Sequence, residues 1–315
     1  MKEDIIFLDP VFTHNIWGGT RLRDEFGYDV SGDDIGECWG IAAHPNGEST
    51  VRDGMLAGMK LSRVWETYPE LFGRTKSTKE AFPLLVKMID AREDLSIQVH
   101  PDDAYARVHE HGSLGKMECW YILDCGDDAT LVIGHKAKSK EELKDMIQNH
   151  RWQELIQEVP VHKGDLIQIN PGTVHAIKGG IMLLETQQNS DITYRVYDYD
   201  RLSDGKPREL HIEKSLDVIT TPSEAVETCV KRAAPIPKNQ LEPLYSCAYY
   251  TVYKLEVSGI FEERNRFPYL LMSVVEGSGK VNGREVTKGT HLVITSECRE
   301  LCLEGEMEMI CSTGK

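Results

Sequence analysis

Leu95-Ser96-Ile97-Gln98-Val99-His100-Pro101 confines this chain more than any other stretch of it. Side chains alternate faces along a strand, so Leu95, Ile97 and Val99 form an apolar face and Gln98 and His100 share the opposite one. Pro101 lacks the N–H for the next rung of a ladder and ends the strand. Such a strand needs a core behind it and a polar site in front. Further along stand Glu118, in Gly115-Lys116-Met117-Glu118-Cys119-Trp120, and His175, in Asn170-Pro171-Gly172-Thr173-Val174-His175. Neutral imidazoles with one carboxylate, and a position left for water or substrate, make up a catalytic Zn²⁺ site rather than a closed structural one.

The rest of the pattern is mainly β with helical interruptions. Leu61, Val64, Trp65 and Tyr68 predict a helix over Met59 to Leu71, within a helical region near 57–73. Pro101-Asp102-Asp103 opens a short helix into Val108, with an Asp as N-cap. Ser139-Lys140-Glu141-Glu142 is a capping box, and Leu143, Met146 and Ile147 continue it, so a helix or helix pair is expected over 139–158. From Gly164 onward the pattern turns to strands: Ile167 with Ile169, Gly180 to Leu184, and Ile192 to Tyr197. Ala233 to Pro243 reads as a linker. Tyr249 to Val257, Tyr269 to Val275 and Thr290 to Thr295 follow as strands, with a hairpin turn at Asn282-Gly283. Lys163-Gly164-Asp165-Leu166-Ile167-Gln168-Ile169 resembles Lys288-Gly289-Thr290-His291-Leu292-Val293-Ile294. Eleven residues past the Gly stands His175 in the first copy and Glu300 in the second. Two related β-barrels are therefore expected: a catalytic domain over 1–230 and a metal-free one over 245–315.

A chain of 315 residues can bury a large core. Its net charge of -15 argues against nucleic acid as a partner, since phosphate contacts need clustered Lys and Arg. An anionic substrate would need a local basic focus against that background. Met1-Lys2-Glu3-Asp4 lacks the basic region of a signal peptide, and no stretch approaches about 20 apolar residues, so no membrane span is expected and the cytoplasm is the expected compartment. The eight cysteines form no CxxC pair and read as reduced thiols. His109, His111, His135, His150 and His162 read as ordinary hydrogen-bonded core histidines.

Short strands around a His, Glu and His set resemble a cupin, a double-sheet jelly-roll barrel holding a metal. Three departures stand out. Gln98 replaces the first His of the usual HxH pair, Glu118 comes late after the insertion from Pro101 to Gly115, and the Pro before His175 is displaced by one. Together they resemble one cupin family, the type I mannose-6-phosphate isomerases in their short bacterial form. The likeness runs through Phe12…Trp17-Gly18-Gly19…Leu22, Pro83 to Lys87, Gln98 to Asp103, Gly115 to Glu118 and Gly172 to Ala176. It continues through Glu185…Ser190 to Asp198 and Gly205-Lys206-Pro207-Arg208-Glu209-Leu210-His211. The resemblance implies zinc at His100, Glu118 and His175, with Gln98 at or beside the metal, and a catalytic role for Arg195.

The residues carry their own readings beside that one. Glu118 faces the same way as Trp120 and Ile122, surroundings costly for an unpaired charge. Gln98 either ligates the metal or holds a water. Arg195 shares a strand face with Thr193 and Tyr197; it is either a surface ion-pair partner or a guanidinium set over an anion. Lys116 lies on the Glu118 face, and a cation beside Zn²⁺ should have a lowered pKa, which suits a proton carrier. Glu185 is a second acid–base candidate, and Lys206 and Arg208 are weaker phosphate candidates. The reading is a zinc-dependent aldose–ketose isomerase, one Zn²⁺ per chain, acting on a sugar phosphate as a monomer or weak homodimer. A non-catalytic sugar-binding metal cupin is the rival. So is an Fe²⁺ dioxygenase, since two His and a carboxylate also fit a non-haem iron triad.

Overall fold

The computed structural model describes residues 3–75, 80–203 and 205–315. The chain is mainly β and has the cupin fold. Two sheets face each other in the N-terminal part. The larger has seven strands, in the order Val230–Lys231, Leu166–Ile169, Glu118–Asp124, Ile181–Gln188, Leu84–Ala91, Val11–Gly19 and Ile35–Ile41. The smaller has five: Ile156–Pro160, Thr130–His135, His175–Ala176, Ile97–Val99 and Tyr194–Tyr197. Among the described residues no ladder joins the two sheets, so they form an open sandwich rather than a closed barrel. Ile89, Trp120, Ile122, Ile133, Ile167 and Leu183 fill the space between them. Cys119, Tyr121 and Leu123 alternate with Trp120 and Ile122 and enter a second core on the other side of the large sheet. A buried strand with both faces covered thus serves two layers at once.

An eight-stranded sheet forms the C-terminal part, running from Glu242–Ser246 through Tyr250–Arg264, Glu300–Gly314, Leu270–Val281 and His291–Ile294. It then takes in two strands from the start of the chain, Ile5–Asp9 and Thr50–Val51. Sequence position alone had placed both in the first domain. Ile5–Asp9 reads as two sets of period two. Ile5 and Phe7 enter the core of the C-terminal sheet, while Ile6 and Leu8 enter the core shared with the large N-terminal sheet.

Asn282 and Gly283 both have positive φ and join Val281 to Arg284, as the Asn-Gly pair demands. The two Lys-Gly copies fold alike: Gly164 and Gly289 have φ of 86° and 87°, each ahead of a four-residue strand. The expected helix over 59–71 is a helix at Leu61–Thr67 followed by a 3₁₀ turn at Pro69–Phe72. Pro69 causes the break, because it offers no N–H and pushes Tyr68 out of the helical region. The helix or helix pair expected over 139–158 is a pair, Lys140–Gln148 and Trp152–Leu155, and the chain then enters Ile156–Pro160, claimed by Thr130–His135 as a ladder partner. Asp102 caps Asp103–His109, accepting from the Tyr105 N–H. Of the five histidines read as core, His135 is buried, while His109, His111, His150 and His162 are exposed. No helix among the described residues is long and apolar enough to cross a membrane.

Because Ile5–Asp9 is a rung of the C-terminal sheet, a cavity there should weaken the whole molecule. Leu8 is fully buried, and Leu8→Ala should lower the unfolding free energy by about 3 kcal/mol. Urea denaturation followed by circular dichroism measures it; an unchanged midpoint would show that the strand packs loosely.

Candidate active site

The site lies where the two N-terminal sheets face each other. His175 pairs across the antiparallel ladder with Gln98, which pairs on its other side with Arg195. The turn before His175 is held against the neighbouring strand end: the Gly172 N–H donates to the His100 carbonyl at 2.9 Å. Only glycine fits there, with φ of +84° and a Cβ that would stand 2.5 Å from Thr220 Oγ1. The insertion after His100 folds back the same way. Lys116 N–H donates to the Pro101 carbonyl at 3.0 Å, and a Cβ on Gly115 would meet the Asp102 backbone at 2.4 Å. That return sets Lys116 and Glu118 beside the two imidazoles.

His100, Glu118 and His175 are all buried, with one ligand atom from each lying within 4.8 Å of the others. His100 Nε2 is 3.1 Å from His175 Nε2, and these lie 3.4 and 3.2 Å from the Glu118 oxygens. Each imidazole is turned by its other nitrogen. His100 Nδ1 donates to the Ile192 carbonyl at 2.7 Å and His175 Nδ1 to the Thr173 carbonyl at 2.9 Å. In those tautomers both Nε2 atoms present lone pairs to each other and to a carboxylate. Three acceptors converging in a dry interior call for a cation. Ligand atoms about 2.0–2.1 Å from a tetrahedral ion stand about 3.3 Å apart, so the trio fits zinc. Gln98 places its amide 3.3 Å from His175 Nε2, at the same cluster. Amide N and O are exchangeable in such an assignment, and the flipped form turns the carbonyl oxygen to the site.

The electrostatics match. Burial, and then the Lys116 charge, push the His100 pKa down to about 3, which keeps the ring neutral. Burial opposes the charge on Glu118, but Lys116 and the imidazoles hold its carboxyl well below the usual range. Burial raises Glu185, and Glu118 adds to that. Lys116, taken with its protein neighbours alone, is held in its charged form. Its ammonium is 2.9 Å from Glu118 and 3.9 Å from Glu185, and these carboxylates outweigh burial and raise its pKa.

Gln98, Lys116, Glu118, Glu185, Arg195 and Arg208 all line one cavity of about 350 Å³. Arg195 Nη1 donates to the Glu209 carbonyl at 2.8 Å, while its buried Nε finds no partner among the described residues. Burial and nearby Arg208 push its pKa down, the mark of a cation short of counter-charge. Arg208 is already engaged, its Nε donating to Asp198 at 2.7 Å and a second bond closing a fork. Lys206 is exposed on the Leu202–Ser203 and Lys206–Pro207 hairpin and does not line the cavity. Tyr197 does not share a face with Arg195. A bulge shifts the register so that Arg195 opposes Gln98 while Tyr197 opposes Ile97 and stacks on Trp152 at 4.5 Å. Lys87, Glu37 and Trp39 also line the cavity and were not singled out from sequence. Lys87 Nζ is 3.2 Å from Glu37 and 3.9 Å from Glu185. The available signal was a lysine inside Leu84–Ala91, a strand buried at every position.

Comparison with known proteins places the chain in a family. A model of the type I phosphomannose isomerase catalytic domain matches residues 5–117, and one of the mannose-6-phosphate isomerase cupin domain matches 242–314. Mannose-6-phosphate isomerase ManA of Bacillus subtilis is 46% identical over 99% of both chains. The chain belongs to the type I phosphomannose isomerase family. Mannose-6-phosphate isomerase of Streptococcus mutans is also 46% identical, covering 98% of this chain and 97% of that one. A crystal structure of the Bacillus subtilis mannose 6-phosphate isomerase superposes with a TM-score of 0.87 at 41% identity, over 99% of this chain and 100% of that one. A zinc-bound mannose 6-phosphate isomerase shares the fold, with a TM-score of 0.76 at 14% identity over 99% of this chain and 100% of that one.

If His175 is a ligand, His175→Ala should weaken metal binding more than about a hundredfold, since loss of an outer-shell partner alone costs up to that much. Elemental analysis after dialysis against a weak chelator reads this directly. Full metal occupancy in the variant would remove His175 from the ligand set.

Proposed function

We propose that this chain is a zinc-dependent aldose–ketose isomerase interconverting mannose 6-phosphate and fructose 6-phosphate through a cis-enediol. The observation that carries the reading is the convergence of a three-ligand metal cluster, a buried Lys–Glu pair and a half-buried, undercompensated Arg195 on one cavity. Relatives at 46% identity bear the name mannose-6-phosphate isomerase. In this reading His100, Glu118 and His175 hold the ion, with Gln98 beside them. Bound zinc supplies a Lewis acid for the sugar oxygens and a positive charge beside Lys116.

The reaction opens the sugar ring and moves a proton between C2 and C1, so the protein must take a proton from carbon and return it one atom away. Lys116 and Glu185 are the pair that does this. They lie 3.9 Å apart, shielded from water, and their opposed environments let one hold a proton while the other releases it. Lys87, 3.9 Å from the other Glu185 oxygen, restrains that carboxylate on the far side. Arg195 supplies a fixed, non-titrating positive charge for the enediolate or the phosphate. Arg208 lines the cavity behind it, its fork held by Asp198. A sugar sensor or an oxygenase has no use for a buried lysine–carboxylate pair touching the metal ligands.

The C-terminal sheet, in this reading, binds no metal. Glu300 stands where the first copy has His175, and His100, Glu118 and His175 are the one three-ligand group among the described residues. One zinc per chain is therefore the expected stoichiometry.

Arg195→Ala should lower kcat/KM by about 10²- to 10³-fold with zinc content intact, in a coupled assay for fructose 6-phosphate. Arg195→Lys should recover only part, since a point charge does not reproduce a planar fork. A loss confined to KM assigns the guanidinium to uniform phosphate binding, and an equal loss in kcat and kcat/KM assigns it to the transition state. Near-normal turnover by Arg195→Ala would return the residue to an ordinary ion pair.

A further inference from the structure

Arg195 reaches the cavity from an edge strand, and what steadies that strand is the segment Glu209 to His211. Tyr194–Tyr197 is the last strand of its sheet, so one side of its backbone has no ladder partner. Three hydrogen bonds from the returning segment cover the edge at this residue. The His211 N–H donates to the Arg195 carbonyl at 2.8 Å. The Arg195 N–H donates to His211 Nδ1 at 3.1 Å. Arg195 Nη1 donates to the Glu209 carbonyl at 2.8 Å. The imidazole thus takes the place of a missing strand's carbonyl.

An imidazole nitrogen accepts a hydrogen bond only while it carries no proton. We propose that His211 is a positioning residue for Arg195: its unprotonated Nδ1 holds the Arg195 amide, and protonation of the ring sets two donors against each other and frees the strand edge. The proposal rests on the reading of Arg195 as the cation that faces substrate.

The groups around the ring come from several elements. Arg195 faces it from the edge strand, Glu209 from its own segment, Lys214 from the helix Ile212–Val218 and Glu110 from the end of Asp103–His109. Tyr194 lies beside it at 6.1 Å between ring centroids. Glu110 is itself held by Tyr194 Oη at 2.7 Å and Lys214 Nζ at 2.6 Å, which reduces its pull on the imidazole. Burial, with Arg195 and Lys214, favours the neutral ring, against Glu209 and Glu110. The acid limb therefore lies below the ordinary histidine value of about 6.5. The acceptor is intact above that pH and lost as pH falls.

Two substitutions separate this from a structural role. His211→Asn keeps a side-chain acceptor near the position of Nδ1 and does not titrate. His211→Phe keeps a ring and removes the acceptor. His211→Phe should lower kcat by about tenfold to a hundredfold with zinc content unchanged, the scale of a small misplacement of a substrate-facing group. His211→Asn should stay within about threefold of the parent at neutral pH and lose the parent's His211-dependent decline at acid pH. In ¹⁵N-labelled protein the Arg195 amide resonance should shift with pH in step with the His211 ring, and should stay still in His211→Asn. A parent-like kcat in His211→Phe, alongside a crippled Arg195→Ala, would overturn the proposal, and so would an Arg195 amide that ignores the His211 titration. An active Arg195→Ala would instead defeat the reading of Arg195, while a pH-linked amide would still uphold the hydrogen bond on which the positioning depends.

Discussion

Two imidazole nitrogens with their lone pairs turned toward each other, 3.1 Å apart in a dry interior, are the constraint around which this molecule is arranged. Left to themselves the rings would rotate or protonate. Rotation is closed to both, because each Nδ1 is fastened to a main-chain carbonyl, and burial keeps the His100 ring neutral. The backbone therefore spends two hydrogen bonds on holding an arrangement that only a cation completes. Lys116 supplies part of that charge, at 3.2 Å from His100 Nε2 and 2.9 Å from Glu118. It enters from the flank, which leaves the centre of the trio for a metal.

Holding that geometry falls to very short elements. Ile97–Val99 has three residues and His175–Ala176 two, too few to fix a register by their own ladders. Register comes instead from what lies behind them. Ile97, Val99, Val174 and Ala176 enter a core covered by the helices Lys140–Gln148 and Ile212–Val218. A slip by one residue would turn those side chains into the cavity and the ligands into the core. The large sheet is stiffened from its other face by the C-terminal sheet, into which the first strand of the chain is woven. The C-terminal part thus acts on the chemistry through packing.

What was legible in the sequence follows from which interactions are local. The grouping of His100, Glu118 and His175 could be read because strand alternation and turn spacing are properties of a few neighbouring residues, to which the family resemblance added a metal. The Ser139 capping box, the Asp102 cap and the Asn-Gly hairpin were legible for the same local reason. Tyr197 was misplaced because the bulge after Arg195 is imposed by the partner strand. The helical segment expected over 139–158 stops at Leu155 because Ile156–Pro160 is recruited by Thr130–His135, a choice made in three dimensions. Lys116 was read beside the metal alone, without its carboxylate partners. Glu185, some seventy residues further on, reaches it only through the ladder between Ile181–Gln188 and Glu118–Asp124. Lys87 was missed because a lysine in an apolar strand has meaning only once its partners, Glu37 and Glu185, are known.

That chain of partners also answers how a protein with net charge -15 attracts an anion. Across the floor of the cavity the charges alternate, from Glu37 to Lys87, Glu185, Lys116 and Glu118, so that each ammonium is shared between carboxylates. Such a row is nearly neutral, and its field falls off within a few ångströms. Arg208 shares Asp198 with Arg201, so one carboxylate serves two guanidiniums there. Arg195 has no carboxylate in contact among the described residues: its side chain donates to the Glu209 carbonyl, and its Nε is unsatisfied. A dication held by His100, Glu118 and His175, as in the proposed function, would add positive charge to the same cavity. Positive charge in excess of the alternating row then collects at the arginines and at that cluster, and low-dielectric walls concentrate its field where the surface charge is screened. Under the proposed function, Arg195 and the bound ion would divide between them the phosphate charge and the charge that develops on the sugar oxygens.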